Sequence, residues 1–224
     1  GVYVANCPGK NAIAVAELSF GLMLSLDRRI PNNVEDLKEG RWDKTLYSNA
    51  KGLFGRTLGL IGLGAVGREM VPRAQAFRMP VVAWSRSLTS TRARGFGIEH
   101  KTTPAEVAVA SDIVSVHVAL TDGTRDLVGG DFFQAMRPGA LFINTSRAEI
   151  VDQDALVRAV KERHIRAGLD VFDGQPSGGS GTIQNDIFKI DGIIGTHHIG
   201  ASTSQAQQAI AQETTRIIRE YRET

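Results

Sequence analysis

The chain has 224 residues, of which 42% are hydrophobic, with 26 Lys and Arg against 24 Asp and Glu. That is enough apolar sequence for one substantial core, and one main domain is expected. A net charge of +2 with no basic stripe gives no ground for a nucleic-acid partner. One cysteine, Cys7, excludes an internal disulfide, no Cys/His cluster has metal spacing, and no apolar stretch is long enough for a membrane helix. A cytoplasmic protein without bound metal is the expectation.

In chain order, residues 1–6 read as a strand running into Cys7-Pro8-Gly9. Helix 11–28 follows, apolar on more than one face through Ala12, Ile13, Val15, Leu18, Leu22, Met23, Leu24 and Leu26. Such a helix is buried in its own domain or against another subunit. The segment 31–51 carries Trp42, Leu46 and Tyr47 among charges with no strong period, and is either a surface excursion or an arm wrapping a second subunit. From there strands at 57–61, 81–84, 113–117, 140–144, 167–171 and 193–196 alternate with helices at 68–77, 104–110, 153–163 and 204–221. The alternation predicts an α/β fold of Rossmann type, a doubly wound parallel sheet whose ligands gather at the carboxyl ends of the strands. The stretch 176–181, rich in Gly and Ser, reads as an exposed loop.

At the end of the first of these central strands stands Gly62-Leu63-Gly64-Ala65-Val66-Gly67, a G-x-G-x-x-G turn in the strand and helix context that dinucleotide binding requires. Gly62 permits the tight turn, Gly64 the approach of backbone amides to a pyrophosphate, and Gly67 the close packing of helix on strand. The acidic residue that would bind the ribose 2′-hydroxyl is missing. The second strand ends instead in Ser85-Arg86-Ser87. Arg86 either pairs with a 2′-phosphate, which mildly favours NADP over NAD, or is merely solvated. Arg147, closing Asn144-Thr145-Ser146-Arg147, has the chemistry to hold a substrate carboxylate bidentately. His198, in a turn after the last strand, can exchange a proton near neutral pH. Singly each residue is unremarkable, but both fall at strand ends beside a nucleotide motif.

On these motifs, together with Asn6-Cys7-Pro8-Gly9-Lys10-Asn11, Ala14 to Leu18, Val151-Asp152, Gly168-Leu169-Asp170-Val171-Phe172 and His198-Ile199-Gly200-Ala201-Ser202-Thr203, the chain resembles the nucleotide-binding domain of D-2-hydroxyacid dehydrogenases, above all D-3-phosphoglycerate dehydrogenases. The resemblance covers nearly the whole chain. It implies that Arg147 binds the substrate carboxylate and carbonyl and that His198 takes the hydroxyl proton during hydride transfer. It also implies that Ala65 and Val66 line the pyrophosphate, that His117, Thr145, Ser146, His198 and Gly200 lie along the cofactor, and that Asp170 sits near the nicotinamide amide. The family's third catalytic residue is a Glu before Pro. Here that position is Gln175, whose neutral amide can orient His198 but cannot stabilise its charge. Ala148, where Gly is usual, and His197, where Pro is common, are smaller departures.

The resemblance further implies a second, substrate-reading lobe outside this sequence, with residues 1–10 as the crossover from it, 11–203 as the dinucleotide-binding domain and 204–224 as a helix returning toward it. It also implies a homodimer through the helix that begins at Asn11 and the segment after it. A 2-hydroxy or 2-oxo acid is the expected substrate. Glyoxylate or hydroxypyruvate reductases fit the Ser85-Arg86-Ser87 turn, formate dehydrogenases share the Gln at the third position, and dinucleotide-sensing corepressors on this fold offer a non-enzymatic reading.

Overall fold

Short runs of β-branched and leucine residues build the sheet. In the computed structural model, which describes residues 4–176, 178–183 and 185–223, seven strands run parallel in the order β3-β2-β1-β4-β5-β6-β7. They are β1 Leu58–Ile61, β2 Val81–Trp84, β3 Glu99–His100, β4 Ile113–Val116, β5 Leu141–Asn144, β6 Arg166–Leu169 and β7 Ile193–Gly195. The helices are α1 Ala12–Arg28, α2 Ile30–Lys38, α3 Ala65–Ala76, α4 Ser90–Gly95, α5 Pro104–Ala110, α6 Gly130–Ala135, α7 Gln153–Arg163 and α8 Ser204–Glu223. The expected doubly wound sheet is thus present.

Alternation along the strands divides the core between two faces. Leu141 and Ile143 join Met23, Leu58, Leu60 and Met70 beneath α1 and α3, while Phe142 and Val114 join Phe133, Ile150 and Leu156 beneath α5, α6 and α7. The apolar α1 is buried in its own domain: Ala16, Leu22, Met23 and Leu26 face the sheet, and only Ile13 among its large apolar residues is exposed. Gly168 permits this seating, since a Cβ there would lie 3.0 Å from that of Leu22.

Several expectations are corrected. The described part of the first expected strand, Val4 to Asn6, is not β structure; residues 1–3 lie outside the described set, as do Ser177 and Thr224. Val4 is exposed, and the chain just beyond it leans on α8, with Cys7 Sγ 3.5 Å from Thr214 Oγ1 and Lys10 Nζ 3.1 Å from Glu213. The segment 31–51 contains most of α2, which begins at Ile30 directly after Arg29 reverses the chain at φ 50°. Helix α3 starts at Ala65 rather than at residue 68, because Gly64 serves as its cap. Three of the strands stop one or two residues early, so His117, Val171 and Thr196 lie beyond the ladder, while those ending at Ile61, Trp84 and Asn144 end where expected. Elements α4, α6 and the two-residue β3 carry too little apolar pattern to be read. Instead α4 rests on a cap, the Thr89 side chain accepting from Arg92 N–H.

Candidate active site

Register decides what meets at the carboxyl edge. Trp84, Ile61, Val116, Asn144, Leu169 and Gly195 pair side by side across six adjacent strands. The residues that follow them therefore line one rim: Ser85 and Arg86, Gly62, His117, Thr145 to Arg147, Asp170, and Thr196 to His198. Chain order reverses between β1 and β4, which is where such sheets open a ligand crevice.

The crevice floor is backbone. Gly62 has φ 103°, and a Cβ on it would fall 2.5 Å from the His117 carbonyl oxygen. Gly67 is pressed against the same turn, its Cβ position 2.3 Å from the Gly62 oxygen. Gly64, by contrast, faces open space. No side chain caps α3 there, so the first-turn amides of Ala65 and Val66 remain for an anion at the helix N-terminus. This cradle fits a dinucleotide pyrophosphate: two glycines are required by their neighbours, and the third leaves room. On one side Ser85 is half-buried and Arg86 exposed at the end of β2. On the other, His117 Nε2 lies 2.8 Å from Ser115 Oγ, and burial pushes its imidazole pKa down to about 3, so the ring is neutral at physiological pH.

Arg147 is carried on a turn built by Asn144. The Asn144 side chain accepts from Ser146 N–H at 3.0 Å and donates to the Arg147 carbonyl at 2.9 Å, while Ser146 Oγ donates to the Val116 carbonyl at 2.7 Å. The guanidinium itself is exposed, its Nη1 donating back to the Ser146 carbonyl at 2.6 Å. Thr145 points inward, its hydroxyl 3.1 Å from that of Ser19 on α1. The sequence motif gives Asn144 no role of its own; a short polar side chain two residues before the turn's donor is the Asx signature that identifies it.

His198 is exposed in a left-handed conformation, φ 53°, on the turn after β7. Its Nδ1 lies 2.9 Å from Gln175 Nε2, so the two residues of the expected pair do meet. Asp170 lies beneath this turn, 1% exposed, with Oδ1 accepting from Thr196 Oγ1 at 2.6 Å and Ile199 N–H at 2.8 Å, and Oδ2 from Gly200 N–H at 2.8 Å. Besides the cofactor contacts that the resemblance implies for them, Asp170 and Gly200 seat the His198 turn. Thr196, also unassigned from sequence, completes that seat. Beside Gln175 the rim becomes acidic: burial, then Glu149, Asp126, Asp154 and Asp152, push the Asp173 carboxyl above its usual range. Among the described residues no group of His, Cys, Asp and Glu is placed to hold a metal, and no helix is long and apolar enough to cross a membrane.

A parallel sheet of this order, with a glycine cradle at its switch point and an Arg and a His on the neighbouring strand ends, defines a dinucleotide-binding domain of dehydrogenase type. Residues 20–200 match the family model described as D-isomer specific 2-hydroxyacid dehydrogenase, NAD binding domain, and the chain belongs to that family. It is 37% identical to D-3-phosphoglycerate dehydrogenase of Methanocaldococcus jannaschii over 98% of this chain and 42% of that protein, so it spans less than half that relative's length. It is equally 37% identical to hydroxypyruvate reductase of Thermotoga maritima, over 95% of this chain and 68% of that one. Among solved structures it is similar to D-lactate dehydrogenase from Aquifex aeolicus, complexed with NAD and lactic acid, with a TM-score of 0.82 and 27% identity over 94% of this chain and 66% of that one.

Proposed function

We propose that the chain is the cofactor-binding lobe of an NAD(P)-dependent D-2-hydroxyacid dehydrogenase acting between 3-phosphoglycerate and 3-phosphohydroxypyruvate. The observation that carries the reading is the single rim of strand ends, which sets the glycine cradle, Arg147 and His198 along one crevice. When bound there, the nicotinamide supplies the hydride acceptor or donor. Arg147 holds the substrate carboxylate and polarises the carbonyl beside it. His198 exchanges the proton on the substrate oxygen, and Gln175 sets the direction in which its ring faces. Gly62, Gly64 and Gly67 with Ala65 and Val66 receive the pyrophosphate, and His117, Thr145 and Ser146 lie along the bound molecule.

A hydroxypyruvate or glyoxylate reductase is the second reading, favoured by Ser85 and Arg86 where an acidic residue would repel a 2′-phosphate. The substrate's far end is read by a lobe outside this chain. The exposed Ile218 and Tyr221 of α8 suit packing against such a lobe, which supports reading residues 1–10 as the crossover from it. Exposed Ile30, Val34, Leu37, Trp42, Leu46 and Phe54 on and after α2 suit a second copy of the chain, with α1 alongside.

Calorimetry on the chain tests the cofactor half of this reading. NAD(H) and NADP(H) bind without the second lobe, NADP(H) at least comparably, and Arg86→Ala weakens NADP(H) alone by about tenfold to a hundredfold, the worth of one charge-assisted contact. No binding of either at millimolar concentration refutes the reading. Turnover of several 2-oxo acids by the intact enzyme tests the substrate half, and preference for a non-phosphorylated acid selects the reductase.

A further inference from the structure

The Gln175 amide lies between two partners whose chemistry fixes which way round it sits. Phe172 N–H approaches Oε1 at 3.3 Å, and a backbone N–H can only donate. The oxygen is therefore on that side, and the NH2 group is the end 2.9 Å from His198 Nδ1. An amide NH2 has no lone pair to offer, so Nδ1 is the acceptor in this pair and carries no proton. The backbone that carries each partner is held in place. Asp170 clasps the histidine turn through Thr196, Ile199 and Gly200 on both sides of the ring. The turn bearing Gln175 is held by Asp173 N–H to Gln153 Oε1 at 3.0 Å and by Asn185 Nδ2 to the Asp173 carbonyl at 2.7 Å.

We propose that Gln175 is a positioning residue that holds the neutral His198 ring as its Nε2–H tautomer, so that the resting site presents a hydrogen-bond donor to the substrate oxygen and withholds the base that a 2-hydroxy acid needs to lose its hydroxyl proton. This rests on the reading that His198 faces such a substrate. A carbonyl oxygen accepts from Nε2–H as the ring stands. Removing the hydroxyl proton of a 2-hydroxy acid needs the opposite tautomer, in which Nε2 has the lone pair and Nδ1–H must find an acceptor. The nearest is Oε1 of a rotated Gln175 amide, and that rotation breaks the Phe172 bond and aims two donors at each other. In oxidation the hydroxyl proton passes to Nε2 and hydride leaves C2 for the nicotinamide; in reduction both return. Both proton transfers wait on the amide rotation, whereas binding of either substrate oxygen to Nε2–H does not. A carboxylate at position 175 has no donor end and would hold Nδ1–H directly, leaving Nε2 as a ready base.

Nitrogen-15 NMR of the imidazole in the 224-residue chain reads the tautomer without any turnover. The proposal expects His198 Nε2 protonated and Nδ1 bare, with a trans-hydrogen-bond coupling from the Gln175 side-chain nitrogen to Nδ1. A protonated Nδ1 in the neutral wild-type ring overturns it, whether or not Gln175→Glu folds. In Gln175→Glu the proton moves to Nδ1, and the intact variant oxidises its 2-hydroxy acid about tenfold faster with cofactor affinity unchanged. A switched tautomer with no gain in oxidation overturns the claim that the Nε2–H tautomer withholds the base. Failure of cofactor binding would instead refute the dehydrogenase reading and leave the tautomer result standing.

Discussion

The floor of the crevice and its rim are built by opposite means. At the floor the binding groups are backbone: Gly62 and Gly67 are packed against carbonyl oxygens, and the helix begins with amides that no side chain caps. At the rim they are side chains. Arg147 and His198 are exposed, and each sits on a turn whose shape is set by another residue, Asn144 in one case and Asp170 in the other. A backbone cradle is complete as soon as the strand and helix dock. Exposed side chains on turns acquire a dry, fixed geometry only when something covers them. The difference teaches that the backbone cradle is complete within this chain, whereas the rim side chains gain a fixed geometry only under cover.

The sharpest way to break that comparison is at the floor, where one methyl group separates folding from binding. Gly62→Ala places a Cβ against the His117 backbone at φ 103°, and should cost about 3 kcal/mol or more in stability along with the nucleotide site. Gly64→Ala adds its methyl into open space, and should leave the denaturation midpoint within about 0.5 kcal/mol of wild type while weakening dinucleotide binding tenfold or more. If both variants bind dinucleotide normally, the cradle lies elsewhere.

At the rim, Asp170→Asn replaces one acceptor oxygen by a donor facing the Thr196, Ile199 and Gly200 groups. Denaturation should show a loss on the order of 2–3 kcal/mol, the worth of a buried charge-assisted bond. Dinucleotide affinity should change less than stability. A large affinity loss with unchanged stability would make the cofactor contact implied by family resemblance the main role of Asp170.

A last effect, absent at neutral pH, concerns His117 beside the floor. Its ring binds protons only near pH 3 when folded, whereas an unfolded histidine takes one up near 6.5. Over that window the unfolded state holds more protons, so this contribution to stability is intact above pH 6.5 and is lost as pH falls toward 3. His117→Gln should therefore show a shallower decline in melting temperature between pH 6.5 and 4. A parallel decline in the two proteins would place His117 in solvent.

The sequence by itself determined the parallel α/β sheet, six of its seven strands, the long helices and the positions of the glycine turn, Arg147, Gln175 and His198. Those signals are local: β-branched runs, helical periodicity and glycines at fixed spacing each follow from neighbours in the chain. It could not determine β3, α2 or α4. The first exists through its pairing with β2, and the other two through a chain reversal at Arg29 and a Thr89 cap. The residue types at 170 and 175 were legible, but their partners were not. Only the register that sets Leu169 beside Gly195 brings a carboxylate under a turn 29 residues away and an amide against a ring 23 residues away. Hydrogen bonds between such distant groups are decided by how the strands align, and alignment is a property of the folded sheet rather than of any segment.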